Sequence, residues 1–459
     1  MRTSDSGEIF KISNIRYFIR FRLFFNARFY YPVFTILFID FGLSLEQFAL
    51  LNVVWAATIV LLEVPSGALA DTMGRRNLLV LAAGLMVAEM ALLSFVPRGN
   101  VHLLFAAFLL NRVLSGTAEA AASGADEALA FDSLKQAGLE RQWGRVLDRQ
   151  MRVQSMGYML AMSMGAAVYD PHMMQKTADW LGLHVVLTQD ITLRFPIYLT
   201  LLMALLALTT TLGMHETRPQ NDTAACRDLK SCGHSARQAF GVTFQAGRWI
   251  LKTPIALVII AGGVLFDNII RMVLTLSSQY YRLIQLPEAT FGLIGSGLAL
   301  MGLLAPRVAL KLVERRTPAF NMALLAGLTF CGLLGMTFFI PRLGLLPMVF
   351  LYSAMLMMGF MLSYYLNRIT ASEQRATVLS FKGLSFNLGY GIAGLLYALL
   401  VAMTKSGLTT DIRVGGKVLE DLAFKASLGW FPWYFLFTLA LWFFFASRKL
   451  HLADMQQIR

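Results

Sequence analysis

The sequence predicts an all-α polytopic membrane protein in which twelve transmembrane helices form two six-helix bundles. Three observations lead to this fold class. Hydrophobic residues make up 57% of the 459 residues and charged residues only 15%, too few charges to cover a soluble globule. Twelve apolar segments are long enough to cross a bilayer. A long polar segment follows the sixth of them and divides the chain into two sets of six.

The twelve predicted spans follow from the length of helix that a bilayer requires, about 20 apolar residues. An even number of crossings puts both termini on the same side of the membrane. We therefore predict an N-terminal bundle over residues 1–214, a cytoplasmic linker over 215–253 and a C-terminal bundle over 254–459. The spans cover approximately residues 18–40, 47–70, 77–96, 101–130, 151–169, 195–214, 254–279, 289–310, 319–340, 345–366, 377–403 and 429–446.

The distribution of basic residues predicts the orientation of these helices. The segments on the same side as the termini, together with the adjoining helix ends, hold 24 Lys and Arg residues. The loops on the opposite side hold 9. Loops rich in Lys and Arg stay in the cytoplasm, so both termini are predicted to be cytoplasmic in a cytoplasmic (inner) membrane. The same asymmetry accounts for the net charge of +13 without a nucleic-acid partner.

The sequence predicts neither a metal site nor an organic cofactor. Cys226, Cys232 and His234 lie in the linker at spacings that do not match the usual zinc patterns. The phosphate-binding string of ATP-driven proteins is also missing from the sequence, which favours a proton gradient as the energy source. No nucleophile–base set points to catalysis, so an enzyme is not expected.

The most specific string in the chain lies between the second and third predicted helices and runs Gly67-Ala-Leu-Ala-Asp71-Thr-Met-Gly74-Arg75-Arg76. Gly67 allows a close approach of helices, and Gly74 allows a tight turn at the membrane surface. Asp71 suits a helix N-terminus or an arginine partner, and the two arginines anchor the cytoplasmic side. The alternative interpretation is an ordinary turn that follows the positive-inside rule.

This string resembles the loop 2–3 signature of the major facilitator superfamily, G-x-x-x-D-x-x-G-R-R/K. Arg112-Val-Leu-Ser-Gly116 matches a second pattern of that family, and the segment 61–67 looks like that of bacterial drug-efflux-type members. The resemblance implies two bundles that alternate access to a central cavity. It also implies an intracellular gate that includes Gly67, Asp71, Gly74, Arg75 and Arg76, with an acid at the inner end of helix 4, here Asp126, meeting a signature arginine.

Ionisable side chains within spans are costly and are therefore functional candidates. In the first span, Asn26 and Arg28 precede Pro32, and Arg28 lies about ten residues in, near mid-membrane. It is a candidate for anion binding or for a structural ion pair. Glu63 lies eight residues before Asp71 and is either a protonation site, an arginine partner or a structural residue beside a proline bend.

The fourth span carries a polar stripe on one predicted helix face, which must contact protein or water. Glu119 with Arg112 is a candidate proton-sensitive pair, and Asp126 is predicted to pair with Arg75 or Arg76. A structural ion-pair network without a coupling role is the alternative. The stripe consists of Arg112, Ser115, Glu119, Ser123 and Asp126.

The seventh span contains Asp267, Asn268 and Arg271. Because four residues separate Asp267 from Arg271, their side chains meet on one helix face. We expect this cluster to take part in substrate binding or proton transfer.

The function predicted from these observations is secondary active transport, with proton-coupled export of a small amphipathic or hydrophobic compound as the leading hypothesis. Glu63, Glu119 and Asp267 are the proposed proton carriers. Uptake or facilitated diffusion of an anionic metabolite or lipid is the alternative, since arginine binds carboxylate and phosphate well. A non-transporting receptor or scaffold is a third possibility. The expected partners are a small-molecule substrate and the lipid bilayer, and the protein is expected to function as a monomer.

Overall fold

A computed structural model describes residues 9–217, 250, 253–369, 375–411 and 416–457, and within these ranges the protein is helical and contains no strand. The α-helices up to residue 217 are α1 Ser13–Asn26, α2 Phe34–Phe41, α3 Leu45–Met73, α4 Arg75–Phe95, α5 Val101–Ala122, α6 Ala125–Gln136, α7 Trp143–Tyr169, α8 Pro171–Trp180, α9 Gln189–Thr192 and α10 Phe195–Leu212.

The later described segments continue the same architecture. Their α-helices are α11 Pro254–Thr275, α12 Ser277–Leu283, α13 Phe291–Leu300, α14 Ala305–Arg315, α15 Pro318–Met336, α16 Leu345–Ile369, α17 Arg375–Asp411, α18 Gly416–Leu428 and α19 Phe431–Gln457. Short 3-10 turns connect several of them, among them Tyr31–Val33 and Glu140–Gln142.

Ten helical stretches in the described part of the chain are long and apolar enough to cross a membrane. They coincide with ten of the twelve predicted spans. The first predicted span falls on α1 and α2, which are separated by a break and are individually too short. The fifth falls on α7, whose first half carries Arg145, Arg149 and Arg152. Both segments are largely helical. The first differs from the other ten because its helix is interrupted, and the fifth differs because its first half is charged.

Internal contacts divide the chain into two compact units. The first unit comprises Met1–Val33, Ala57–Gly241 and Glu288–Ser296. The second unit comprises Phe34–Ala56, Val242–Pro287 and Gly297–Arg459. The predicted boundaries of the two bundles stay a prediction, and most of the predicted linker lies outside the described residues.

The core of the first unit combines large side chains with many small ones on α4, α5 and α10. Ala82, Ala118, Ala121, Ala204 and Ala207 are all buried within it. Small residues let helix backbones approach closely. Within a bilayer this close packing is a main source of helix association, because lipid tails are as apolar as the side chains. This packing holds α4 and α5 in fixed register, and both helices carry candidate site residues.

The fourth predicted helix is divided, in contrast to the sequence prediction of one continuous helix over 101–130. α5 ends at Ala122 and α6 begins at Ala125, with Gly124 between them at a φ of 74°. A left-handed residue ends a helix, and glycine adopts that conformation without steric cost. Asp126 therefore lies in the first turn of a new helix and not on the continuous stripe that the spacing predicts.

Candidate functional site

The first predicted helix is interrupted at the position of its charged residue. α1 ends at Asn26, residues 27–30 are not helical, and a 3-10 turn leads into α2. Pro32 has no backbone N–H and restricts the conformation of the residue before it, which disfavours a continuous helix here. At the end of α1, the Asn26 side chain donates to the backbone oxygen of Arg22 at 2.8 Å. Arg28 therefore lies in this break, and the expectation of a continuous helix at this point is wrong.

The backbone groups freed by the break have partners inside the protein. The N–H of Phe29 donates to the Thr200 hydroxyl at 3.0 Å, and the N–H of Arg28 donates to the carbonyl of Asn26 at 2.9 Å. Nε of Arg28 donates to the carbonyl of Phe25 at 3.3 Å. Non-helical backbone is tolerated at membrane depth only where protein or water satisfies it, and such interrupted helices are common at transporter binding sites.

Close packing of α7 seals the break. A Cβ added to Gly165 would lie 1.7 Å from the backbone oxygen of Phe29, so only glycine allows this contact. Ala27, Phe29 and Ala161 form a small buried cluster around it. The sequence shows glycines in this helix, but nothing in the pattern identifies the backbone that one of them contacts.

Arg28 forms a buried ion pair with Glu89 of α4, and the exposed fractions of the two side chains are 2% and 0%. The guanidinium also lies 5.5 Å from the centroid of the Phe25 ring. The side chain of Asn111 donates to the backbone oxygen of Glu89 at 3.1 Å and links the pair to α5. The sequence leaves two roles open for Arg28, anion binding and a structural ion pair, and the structure contains the ion pair. Glu89 is missing from the sequence-based candidates, although it is the one ionisable residue in the third predicted span.

Arg112 and Glu119 are arranged differently from the predicted pair. The guanidinium of Arg112 donates to the Asn111 side-chain oxygen through Nη2 at 2.9 Å and through Nε at 3.1 Å. Seven residues, or roughly 10 Å of helix rise, separate Arg112 from Glu119, which explains why they are not adjacent. Glu119 lies on the exposed surface of the first unit, and the charges of Arg28 and Glu89 act on it.

The second unit contains a more accessible charged cluster. Asp267 and Arg271 form an ion pair on α11, as the spacing of four predicts, and their side chains are 13% and 28% exposed. Arg271 also donates to Oδ1 of Asn387 at 3.0 Å and lies 5.1 Å from the centroid of the Tyr390 ring. Oδ1 of Asn268 is buried and has no hydrogen-bond partner among the described residues. Sequence reasoning missed the contributions of α17, because they depend on tertiary packing.

Glu63 occupies a half-buried position in α3. One of its carboxylate oxygens is buried and has no hydrogen-bond partner in the described part of the chain. The hydroxyl of Ser66 donates to the backbone oxygen of Glu63 at 2.8 Å, next to Pro65 within the helix. A buried carboxylate oxygen without a partner is costly, so Glu63 retains the status of a protonation candidate.

The loop 2–3 signature forms a tight turn between α3 and α4. Gly74 has a φ of 86°, and a Cβ at this position would lie 2.6 Å from the Glu216 carboxylate. Arg76 donates from Nε to the carbonyl of Met214 at 2.7 Å and from Nη2 to that of Leu212 at 3.0 Å, so it caps the end of α10. An added Cβ at Gly67 would meet nothing within 4 Å, so the close helix approach expected there is not observed. The side chain of Asp71 lies outside the described residues.

Asp126 does not contact Arg75 or Arg76, the partners that the sequence predicts. Arg22 of α1 pairs with Asp126 and donates from Nη2 to its Oδ1 at 3.1 Å, and the same nitrogen lies 2.8 Å from Glu127. Arg75 pairs with Asp132. Because α6 begins after the break at Gly124, Asp126 lies in its first turn and Asp132 lies six residues further on, and the two carboxylates meet different arginines.

A second set of ion pairs lies in the second unit at the end that we predict to be outside the cell. Arg282 binds both carboxylate oxygens of Asp40, at 3.0 and 2.6 Å. Lys405 contacts Glu46 at 2.6 Å and also Glu420. These contacts hold the segment 34–56 within the second unit. The sequence prediction assigned this segment to the N-terminal bundle and did not include these residues.

Each of the two units contains a cavity. An apolar cavity of about 430 Å³ in the second unit lies between α11, α17 and α19, and its lining includes Met272, Leu396, Trp430 and Phe431. A second, basic cleft lies in the first unit. The described residues contain no group of three or more His, Cys, Asp or Glu side chains placed to hold a metal. Cys226, Cys232 and His234 lie outside the described residues.

Comparison with known proteins identifies the family. The model of the Major Facilitator Superfamily matches residues 17–394, so the chain belongs to this superfamily of transporters. It is therefore a membrane transporter that acts on a small-molecule substrate and not an enzyme, and its twelve-helix fold is that of the superfamily. No curated protein matches the chain.

Solved structures of transporters share the fold. A bacterial homologue of the human lysosomal transporter Spinster, inward-facing and unoccupied, has 13% identity and a TM-score of 0.69, with 97% of this chain and 98% of that chain covered. The nucleoside transporter NupG has 11% identity and a TM-score of 0.67, with 96% and 98% covered. A D-xylose-proton symporter has 13% identity and a TM-score of 0.59, with 92% and 97% covered.

The packing at the break generates a first prediction. Gly165→Ala places a methyl group against the backbone of Phe29, so α7 has to move, and we expect a loss of roughly 1–3 kcal/mol in unfolding free energy. Gly84→Ala is the matched control, because a Cβ there meets nothing within 4 Å. Thermal unfolding of the purified variants in detergent measures the difference. Equal midpoints for both variants would contradict the proposed contact.

The buried ion pair generates a second prediction. Arg28→Met or Glu89→Leu alone leaves a buried group without its partner, which costs roughly 3–5 kcal/mol. The double variant Arg28→Met/Glu89→Leu removes both charges and is expected to be more stable than either single variant. A double-mutant cycle on unfolding free energies tests this coupling. Additive losses would show that the two side chains do not depend on each other.

Proposed function

We propose that this protein is a proton-coupled exporter of small amphipathic or hydrophobic compounds. The observation that carries the proposal is the presence, in each unit, of a carboxylate within a predicted span that is subject to the charge of an arginine. Glu119 is exposed and near enough to Arg28 to feel its charge, and Asp267 pairs with a partly exposed Arg271. Such groups are suited to exchange protons during a transport cycle.

Protonation of Asp267 would remove one half of its ion pair. Arg271 would then keep its contacts with Asn387 and Tyr390 but lose its countercharge, so it would attract another acceptor. Coupling requires that protonation favours one orientation of the cavity and substrate the other, because a ligand shifts an equilibrium only by its differential affinity. Glu63, with its unpartnered carboxylate oxygen, is the third proposed proton carrier.

The apolar cavity in the second unit supports a hydrophobic substrate. It has about 430 Å³, and its lining is apolar and aromatic without a charged side chain among the described residues. This volume lies in the range of small-molecule sites. It shares α11 with Asp267 and Arg271, so one helix connects an apolar surface with a titratable pair. An amphipathic compound offers groups complementary to both.

Uptake or facilitated diffusion of an anionic metabolite or lipid is the second candidate function. The partial exposure of the Arg271 side chain favours it, since a guanidinium binds carboxylate or phosphate in a bidentate manner. The similar structures include a D-xylose-proton symporter, whose name describes proton coupling, and a nucleoside transporter. Their fold therefore supports proton coupling without fixing the direction of transport.

We place the protein as a monomer in a cytoplasmic membrane with both termini in the cytoplasm. The substrate-binding or ion-pair candidates are Asn26, Arg28, Arg112, Asn268 and Arg271. The intracellular gate comprises Gly67, Asp71, Gly74, Arg75, Arg76 and Asp126, and the cap that Arg76 provides for α10 supports this assignment.

The test compares dye accumulation in cells that express the wild type or carboxyl variants at matched membrane levels. Ethidium, Nile red and carboxyfluorescein represent a cation, a neutral compound and an anion. The wild type is expected to lower accumulation of at least one of the first two, and a protonophore is expected to abolish this effect. Asp267→Asn and Glu119→Gln are each expected to reduce gradient-dependent export about tenfold or more, a fall typical of losing a proton-transfer group.

Glu140→Gln and Glu314→Gln are the matched controls, because both carboxylates are exposed and neither belongs to the candidate site. They are expected to retain wild-type export. Full protonophore-sensitive export in both Asp267→Asn and Glu119→Gln would refute the assignment of the proton carriers. Raised accumulation of carboxyfluorescein in the wild type, lost in Arg271→Gln, would support uptake of anions in place of export.

A further inference from the structure

A basic cleft in the first unit is not used by the transport proposal. It lies between α1 and α7 and encloses about 640 Å³. Five of its nine lining residues are arginines, and the lining contains a single acid, Asp148. The arginines are Arg16, Arg20, Arg145, Arg149 and Arg152.

Most of this positive charge is not neutralised by carboxylates of the described residues. Asp148 pairs with Arg152, one turn along the same helix, and Arg145 donates to the side-chain oxygen of Gln142 at 3.2 Å. Within the described residues, no carboxylate forms an ion pair with Arg16, Arg20 or Arg149. Like charges that converge from two helices repel each other, so the cleft favours an anion that bridges them.

The register of α7 adds an apolar surface directly beyond the charges. Arg145, Arg149 and Arg152 are spaced by four and three residues, so they lie on one helix face. Met156 and Leu160 continue the same face toward the membrane centre, and they are 66% and 61% exposed. A basic segment followed by an exposed apolar segment has the order of a phospholipid headgroup and its acyl chains.

The aromatic surroundings of this cleft support a position at the bilayer interface. Trp143, the first residue of α7, packs against Phe18 and Phe131 with ring centroids 5.9 and 5.7 Å away. Tryptophan is enriched at the level of the lipid headgroups. The predicted orientation puts this end of α7 on the cytoplasmic side, where anionic lipids attract basic pockets between helices.

We propose that the cleft between α1 and α7 binds the phosphate of an anionic phospholipid, with the acyl chains lying along Met156 and Leu160. Arg16 and Arg20 approach the phosphate from α1, and Arg149 approaches it from α7. A water-soluble organic phosphate shares the headgroup chemistry. A soluble phosphate has no acyl chain to contact the exposed apolar face, so changes to that face distinguish it from a phospholipid.

The experiment measures lipid retention on the purified full-length protein by native mass spectrometry, with phosphatidylglycerol and phosphatidylcholine in competition. The wild type is expected to prefer phosphatidylglycerol. Since each arginine near a membrane surface contributes roughly a fivefold gain in affinity, Arg16→Gln/Arg20→Gln/Arg149→Gln is expected to lose about a hundredfold. Arg141→Gln is the control, because this exposed arginine lies just before α7 and outside the cleft. If the triple variant does not fold, Arg149→Gln alone is expected to lose about fivefold.

Two further arms identify the source of the phosphate. Met156→Gln/Leu160→Gln is expected to weaken phosphatidylglycerol binding, and glycerol 3-phosphate is expected not to displace the lipid. Equal retention of both lipids by the wild type, or an equal loss in Arg141→Gln and the cleft variants, would overturn the proposal. Displacement by glycerol 3-phosphate, together with unchanged binding in Met156→Gln/Leu160→Gln, would instead assign the cleft to a soluble phosphate.

Discussion

The arrangement of the first unit depends on how the protein satisfies the break in its first membrane helix. An interrupted helix leaves carbonyl groups without partners and places the negative end of a helix dipole inside the membrane. Arg28 answers both needs, because its guanidinium donates to the Phe25 carbonyl and carries a positive charge. The charge of Arg28 is paired with Glu89. The backbone of Phe29 donates to Thr200 and packs against Gly165. A single break thus determines residues on three other helices.

The two intramembrane arginine–carboxylate pairs have different physical roles because they differ in access. The Arg28–Glu89 pair is sealed, with at most 2% of either side chain exposed. Its burial and the hydrogen bond of Arg28 to Phe25 are what hold the break in place. The side chains of the Asp267–Arg271 pair are 13% and 28% exposed, and Arg271 also contacts Asn387 and Tyr390. Breaking this pair therefore strands less buried charge than breaking the Arg28–Glu89 pair would, which suits a switchable pair.

The sequence predicts features that are local along the chain and fails for those that depend on packing between helices. Hydropathy finds the spans because each requires a long apolar run, and the spacing of four finds Asp267 with Arg271 because both lie on one helix. The breaks at residues 27–30 and at Gly124 interrupt the helix without interrupting the apolar run, so hydropathy does not detect them. Glu89, Arg22 and Asp132 are partners across helices, and their register follows from close contacts of small residues.

The positive-inside rule accounts for how many basic residues lie on one side of the membrane, but not for where they converge. Arg75 and Arg22 follow the rule and are neutralised by carboxylates of α6. The arginines of the basic cleft follow the same rule, yet they meet across α1 and α7 with one acid among them. The positive-inside rule depends on the number of basic residues in the loops and not on their clustering, so dispersed charges would give the same topology. Among the described residues the charge of the remaining arginines is not offset by a carboxylate, and the exposed apolar face beyond them is why we propose a lipid as the source of the anion.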